Sequence, residues 1–493
     1  FACVFLIYLP AITAEISLVD DKPMLEHFAQ KQSWSFREYF LPGHSDGLYY
    51  RPLLVLSQIA DRFLFQLNPV VMHTENILLH ALNTLLVFLF AKTLCANDTD
   101  IYAPFFTALL FGGHPLATES VNWISGRTDL LAGFFVILSV ISLMYYRTQK
   151  RFILIGSSAI AFLCAVLTKE VSLAALPGLL LILAAPELSD SRPDNRKRML
   201  IVSTSTMLAA FALFAVLRGG AFASTSSRIG LTLQVISNDL WHSLFVCLRA
   251  FGFYLKKIVI PQPLNFAILE VDPLYELLGI PLLLACIWIA FRRNLLAASF
   301  TAGILLLTPS FLIAFGQIAW TPYAERYLYI PLMFILPACV LYLQKNLILP
   351  NNTIKLILCV GVIVFFTATT FQRNIVWQTN DTLVAETLRE SPRAAKLWYV
   401  QAGIYEVYGE MDKAIAAART ASSLTGIPYD ERHDLYLAKL LDKSGKQSEA
   451  ITVYQYVLKK TAGKSEEAKK QLNALEPTRG QENTRQKSEQ AGS

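Results

Sequence analysis

The sequence predicts an all-α membrane protein, in which a bundle of apolar helices is followed by a short and more polar helical domain. Hydrophobic residues make up 54% of the 493 residues, charged residues make up 16%, and the mean hydropathy is +0.43. Apolar runs recur as far as residue 371, and the charge rises after it. This composition excludes an ordinary soluble globule. The net charge of +6 gives no reason to propose a nucleic-acid partner.

Twelve apolar segments are candidate membrane spans: 1–16, 72–94, 102–113, 129–146, 152–168, 171–186, 199–217, 241–260, 274–291, 297–315, 327–343 and 354–371. Arg147, Arg198 and Arg293 lie on one side with other basic residues, and the positive-inside rule makes that side cytoplasmic. Segment 241–260 carries three basic residues, so we expect it to be re-entrant or interfacial. The prediction is eleven crossings and an external carboxyl terminus.

The chain begins at Phe1 without a methionine. We expect the first segment to be a clipped transmembrane helix rather than the remnant of a signal peptide.

Residues 17–70 form the first long external loop in this topology. Their mixture of aromatic and charged residues, including Trp34 and Tyr49, predicts short helices at the membrane surface. The loop begins with Asp20 and Asp21. Two carboxylates beside an apolar segment are costly near hydrocarbon, and an ionised aspartate can take the proton of an attacking hydroxyl. The alternative is that they only solvate the loop and mark a helix end.

A dense polar loop occupies residues 114–129. His114 and Glu119 are candidate ligands of a divalent cation, Mg²⁺ or Mn²⁺. Arg127 and Asp129 are expected to pair with each other and to anchor the next helix.

A polar stripe precedes this loop on the second span. Its members have spacings of 3, 4 and 3, which place them on one helix face: His73, Asn76, His80 and Asn83. We expect the stripe to face the bundle interior and to form hydrogen bonds between helices, with a direct catalytic role as the alternative.

Two charged pairs, Lys169-Glu170 and Glu325-Arg326, border apolar runs on the external side. An arginine there can hold a lipid phosphate through two hydrogen bonds. The alternative is that each cation merely extends to water at the interface. Taken together, three such cations on one face favour an anionic lipid substrate.

The polar carboxyl-terminal part shows a repeat. Small residues recur with an offset of 36: Gly409 with Gly445, and Ala414 with Ala450. The spacing predicts tetratricopeptide repeats, whose standard period is about 34, over residues 377–475. Such repeats are usually binding modules. The tail, 476–493, is polar and predicted to be disordered.

Five motifs occur in order in the membrane part: Asp20-Asp21, Tyr50-Arg51-Pro52, the loop from His114-Pro115 to Asp129-Leu130-Leu131, Lys169-Glu170, and Ala324-Glu325-Arg326-Tyr327-Leu328-Tyr329-Ile330-Pro331. With the repeats that follow, this chain resembles the transmembrane O-mannosyltransferases with tetratricopeptide repeats, within the GT-C glycosyltransferase superfamily, and in particular a prokaryotic relative of them. The resemblance covers roughly 1–475 and implies a GT-C-type bundle over 1–371.

The resemblance implies transfer of mannose or a similar hexose from a polyprenyl-phosphate carrier to a hydroxyl acceptor, Ser or Thr of a protein, on the non-cytoplasmic face. Asp20 or Asp21 would be the general base or would orient the acceptor, and Arg326, Lys169 and Arg51 would hold the donor phosphate. Supporting residues would be His114, Glu119, Arg127, Asp129, Glu170, Glu325 and His73. The short repeat array favours a bacterial inner membrane with a periplasmic site, and the endoplasmic reticulum with a lumenal site is the alternative.

Two other functions stay open. An O-antigen-ligase or polymerase-type transferase would use a diphosphate-linked glycan. A transporter or scaffold would use the repeats only to dock partners. Asp20-Asp21 also differs from the Asp-Glu pair of the classical protein mannosyltransferases, so the sequence does not assign which carboxylate acts.

Overall fold

The computed structural model describes residues 1–30, 35–40, 50–95, 101–186, 193–219, 222–316, 318–346, 351–424 and 429–475. Within these residues the chain is helical, apart from loops and one isolated bridge between Ile268 and Tyr323. The predicted all-α class is therefore confirmed. The chain divides into two compact units, Phe1–Asn380 and Asp381–Ser493.

The helices of the first unit follow the apolar runs of the sequence. They are α1 (Ala2–Ile7), α2 (Asp21–Gln30), α3 (Phe36–Phe40), α4 (Pro52–Phe65), α5 (Pro69–Leu94), α6 (Tyr102–Gly112), α7 (Thr118–Asn122), α8 (Arg127–Gln149), α9 (Phe152–Thr168), α10 (Ala175–Ala184), α11 (Pro193–Arg218), α12 (Phe222–Asn238), α13 (Leu240–Val259), α14 (Leu274–Ala290), α15 (Leu295–Ile313), α16 (Tyr329–Asn346) and α17 (Asn352–Val376).

Among the described residues, six of these helices are long and apolar enough to cross a membrane: α5, α8, α11, α15, α16 and α17. Four others are apolar but shorter: α6, α9, α10 and α14. The count of eleven crossings and the placement of α13 stay predictions.

The amino-terminal end and one later helix differ from the expected pattern. Segment 1–16 is not a single α-helix, because α1 ends at Ile7 and a 3-10 turn over Leu9–Thr13 follows it. Pro10 in this turn has no amide hydrogen with which to continue an α-helix. The sequence does not predict α12, which contains several serines and a glycine and no long apolar run.

The predicted short helices of the first external loop are α2, α3 and α4. Trp34 and Tyr49 of that loop lie outside the described residues, and so does the tail 476–493.

The polar stripe on α5 faces the bundle interior, as its spacing predicts. Each member is at most 1% exposed: His73, Asn76, His80 and Asn83. The Nε2 of His80 donates to the carbonyl of Gly112 (3.1 Å), so its Nδ1 accepts from the hydroxyl of Tyr329 (2.9 Å). Asn83 Nδ2 donates to the same hydroxyl oxygen (3.0 Å). The network connects α5, α6 and α16, which supports a role in helix packing.

Two glycines bring α13 and α14 into backbone contact. A Cβ on Gly279 would lie 2.2 Å from the carbonyl oxygen of Leu248, and a Cβ on Gly252 would lie 2.2 Å from that of Tyr275. Because no side chain fits at such distances, glycine at these positions sets the separation of the two helices.

We expect Gly279→Ala to destabilise the first unit, since overpacking of this kind costs about 1–3 kcal/mol. The measurement is the melting temperature of the purified protein in detergent. Gly361→Ala on α17 is the matched control, because a Cβ there meets no atom within 4 Å. Equal melting temperatures for the two variants would show that the α13–α14 contact does not limit stability.

The second unit contains α18 (Asn380–Glu390), α19 (Ala395–Val407), α20 (Met411–Ser423), α21 (Glu431–Lys443) and α22 (Gln447–Lys460), and residues 466–475 are also helical. Gly409 between α19 and α20 has φ +77°, and Gly445 between α21 and α22 has φ +79°. Ala414 and Ala450 are both fully buried. The offset of 36 residues thus corresponds to two helix pairs with matching turns.

Candidate active site

The polar loop 114–129 contacts most of the other predicted site residues. Its backbone binds one of the two aspartates, and its acidic side chains bind two of the predicted phosphate-binding cations. The close turn within it depends on Gly126, where a Cβ would lie 2.4 Å from the carbonyl oxygen of Ser120. The loop is therefore the structural centre of the candidate site.

Asp21 is fixed to this loop. Its Oδ1 accepts hydrogen bonds from the amide (2.9 Å) and hydroxyl (2.5 Å) of Ser125, and its Oδ2 accepts one from the amide of Ile124 (3.2 Å). The side chain is 1% exposed, and burial raises its pKa to about 6, against the opposing effect of these hydrogen bonds. Asp20, in the turn before α2, is partly exposed. The two adjacent carboxylates therefore occupy different environments.

Arg326 is bound by Glu119. The Arg326 amide donates to Glu119 Oε2 (2.9 Å), and its guanidinium donates to Glu119 Oε1. The guanidinium carbon lies 5.0 Å from the ring centres of both Trp123 and Tyr327, so it is also stabilised by aromatic faces. Burial raises the pKa of Glu119, although Arg326 opposes the rise. Arg326 keeps 11% of its side chain exposed and Glu119 only 2%.

Lys169, not Arg127, is the partner of Asp129, and this corrects the predicted Arg127–Asp129 pair. Lys169 Nζ lies 2.5 Å from Asp129 Oδ1. Arg127 instead donates to Asp61 (2.5 Å) and Glu75 (2.7 Å). The physical reason is that residues two apart on a helix point in different directions.

Arg51 and Arg218 lie near Glu170, and Lys169 lies near Arg51 and Arg326. Arg51 Nε donates to Glu170 Oε2 (3.0 Å), and Arg218 interacts electrostatically with the same carboxylate. Burial lowers the pKa of Lys169, and Arg51 and Arg326 lower it further. We call the four residues Arg51, Lys169, Arg218 and Arg326 the cation cluster. Within the described residues, Arg326, Lys169 and Arg51 form ion pairs with Glu119, Asp129 and Glu170, respectively.

Sequence reasoning missed Arg218. The sequence does contain a signal for Arg218. The basic residues 196–198 lie at one end of the apolar span Lys197–Arg218, and Arg218 lies at its other end. A helix of this length rises about 33 Å, so its two ends are far enough apart to lie on opposite sides of a bilayer.

Glu325, next to Arg326, is also held in place. Its Oε1 accepts from Lys257 Nζ (2.7 Å) and from the amide of Asn265 (3.0 Å), and both charged side chains are 2–3% exposed. Lys257 is one of the three basic residues for which segment 241–260 is predicted to be re-entrant or interfacial rather than to cross the membrane. It forms a buried ion pair that fixes the turn carrying Arg326.

A narrow cleft lies beside Lys169 of the cation cluster, and its volume is about 20 Å³, room for about one water molecule. Its polar lining residues are Asp129, Lys169 and Tyr327. The other lining residues come mainly from α15 and α16 and are mostly apolar: Val171, Leu306, Pro309, Ser310, Ile313, Ile330 and Pro331. A cationic side chain and an apolar surface therefore meet at this cleft.

In both candidate metal ligands, His114 and Glu119, the atoms that would bind a cation already form hydrogen bonds. His114 Nδ1 accepts from the amide of Leu116 (3.3 Å), and its Nε2 donates to the carbonyl of Ile258 (3.2 Å). Burial lowers the pKa of His114 to about 4. Glu119 is bound to Arg326, and the described residues hold no group of three or more metal-ligating side chains. His73 is buried in the stripe on α5. The predicted His114–Glu119 cation site is therefore not supported by the geometry.

No family model matches the chain. Several curated relatives are similar to it. Protein O-mannosyl-transferase TMTC1 of Mus musculus is 44% identical over 94 residues, and TMTC2 of the same species is 41% identical over 92 residues. Each match covers 19% of this chain and 10–11% of the relative. Protein O-mannosyl-transferase F38B6.6 of Caenorhabditis elegans is 24% identical over 364 residues, or 71% of this chain and 50% of that protein. These relatives confirm the resemblance to the transmembrane O-mannosyltransferases with tetratricopeptide repeats.

Proposed function

We propose that this chain is a membrane glycosyltransferase that transfers a hexose, mannose first among them, from a polyprenyl-phosphate carrier to a Ser or Thr hydroxyl of a protein. The observation that carries the proposal is the cation cluster beside a mostly apolar cleft. A phosphate requires cationic donors, and a polyprenyl chain requires apolar walls. The activity for which these relatives are named, protein O-mannosyl transfer, supports the choice of sugar and of acceptor.

The reaction divides between the two parts of the site. The acceptor oxygen attacks the anomeric carbon, the bond from that carbon to the phosphate oxygen breaks, and its electron pair leaves with the polyprenyl phosphate. Asp20 takes the acceptor proton, since it is partly exposed to solvent whereas Asp21 is buried. Arg326 and Lys169 stabilise the charge of the departing phosphate. Asp21 positions Asp20 by fixing α2 to the polar loop.

The remaining assignments belong to the same proposal. The bundle crosses the membrane eleven times and is of GT-C type, with the cation cluster on the non-cytoplasmic face. The host membrane is the bacterial inner membrane with a periplasmic site, and the endoplasmic reticulum is the alternative. The two matched helix pairs of the second unit are tetratricopeptide repeats that bind the protein acceptor.

The direct test uses the purified full chain, a polyprenyl-phosphate mannose and a Ser/Thr-containing peptide. We expect a mannosyl-peptide and free polyprenyl phosphate to appear in equal amounts. A diphosphate-linked glycan serves as the competing donor. Transfer from that donor alone would replace the proposal with a ligase-type reaction, and absence of transfer from a panel of both donor classes would contradict an enzymatic role.

A further inference from the structure

A second cavity lies at the opposite end of α15 from the donor cleft. It is enclosed by the end of α10, the end of α14 and the start of α15, and its volume is about 440 Å³. This size falls within the range of small-molecule sites. Its walls include Ala184, Ala185 and Ala298, so they are apolar and have small side chains. α15 is one of the apolar candidate spans, so a cavity beside its first two turns is placed where membrane lipids can reach it.

The mouth of this cavity is basic. Arg293 lines it together with Asn294, and the turn between α14 and α15 gives Arg293 a φ of +46°. Among the residues that the structure describes, no carboxylate forms an ion pair with Arg293. Next to it, the guanidinium carbon of Arg292 lies 3.9 Å from the ring centre of Trp288. Tryptophan is enriched at membrane–water interfaces. In the cation cluster, by contrast, Arg51, Lys169 and Arg326 each have a carboxylate partner.

The cavity extends along one face of α15. Asn294, Ala298 and Thr301 follow that face, so Thr301 lies about 10 Å deeper than the mouth along the helix. The cavity is therefore deep enough for part of a hydrocarbon chain to lie below a headgroup at the mouth.

We propose that this cavity binds a phospholipid with an anionic headgroup. The headgroup phosphate contacts Arg293 and Asn294, and one acyl chain lies along the alanine walls. The apolar walls select a chain, and the arginine at the mouth selects negative charge. This lipid is distinct from the donor, since the two sites share no lining residue and their nearest lining residues on α15, Thr301 and Leu306, are about 7.5 Å apart along the helix axis.

The test is native mass spectrometry of the full chain in detergent, titrated with dioleoyl phosphatidylglycerol or dioleoyl phosphatidylcholine. We expect the wild type to bind phosphatidylglycerol about fivefold more tightly, the effect of about one arginine on an anionic lipid. Arg293→Gln should make the two affinities equal. Ala298→Phe should fill the cavity and weaken both, with the melting temperature as a check on folding.

Two matched controls exclude general effects. Lys345→Gln removes an exposed cation at the same end of the bundle, and Val364→Phe adds bulk at a site on α17 that is 60% exposed. Both variants should keep the wild-type preference. Equal binding of the two lipids by the wild type, a preference that survives Arg293→Gln, or full binding by a folded Ala298→Phe variant would each overturn the proposal.

Discussion

Asp20→Asn is expected to lower mannosyl transfer by about 10²–10⁴-fold, the usual contribution of a general base. Asparagine has the same shape but cannot take the proton of the acceptor hydroxyl. Because Asp20 is partly exposed and precedes α2, the substitution should leave the melting temperature unchanged. The measurements are initial rates with saturating donor and acceptor, together with thermal unfolding in the same detergent.

Asp21→Asn is the matched comparison, and it should behave differently. Both Asp21 oxygens accept hydrogen bonds from backbone N–H groups. In asparagine one of these oxygens becomes an NH2 group, which would face the N–H of Ile124 or Ser125 and could not accept its hydrogen bond. The expected cost is about 1–3 kcal/mol of stability, seen as a lower melting temperature. Ser125→Ala removes one of these bonds and should give a smaller loss of the same kind. If Asp21→Asn instead abolished transfer at unchanged stability while Asp20→Asn stayed active, the two roles would be exchanged.

The helices were predictable because hydrocarbon demands long apolar runs, and these are visible in a single sequence. The spans from α5 to α17 follow such runs closely. α12 was not predictable in this way, because its helix is not built from an apolar run. The buried face of α5 was also predictable, since the spacings of 3, 4 and 3 from His73 to Asn83 place these polar residues on one side of a helix.

The partners within the site were not predictable, because they depend on contacts between residues distant in sequence. Asp61, which binds Arg127, and Lys257, which binds Glu325, carry no local signal of their roles. Only the failure of the Arg127–Asp129 pair could have been foreseen from helix geometry. The sequence singled out these charged residues as candidates, whereas their pairing required the fold.

Arg326→Gln is expected to raise the KM for the lipid-linked donor by about ten- to a hundredfold, because a charge-assisted hydrogen bond is worth about 1.5–3 kcal/mol. This single variant has a second effect. Glu119 would remain buried without its cation, which destabilises a protein by about 3–5 kcal/mol. A loss of activity by Arg326→Gln alone would therefore not separate phosphate binding from folding.

The double variant Glu119→Gln/Arg326→Gln separates them. It removes both charges of the buried pair, so most of the melting temperature lost in Arg326→Gln should return, while the donor KM should stay high. Arg249→Gln/Glu276→Gln is the matched control, since it neutralises the α13–α14 ion pair, which is not part of the cation cluster. That control should keep the wild-type donor KM. Recovery of the donor KM together with stability in the Glu119→Gln/Arg326→Gln variant would show that Arg326 acts through folding, and the phosphate would then have to be bound by Lys169, Arg51 and Arg218.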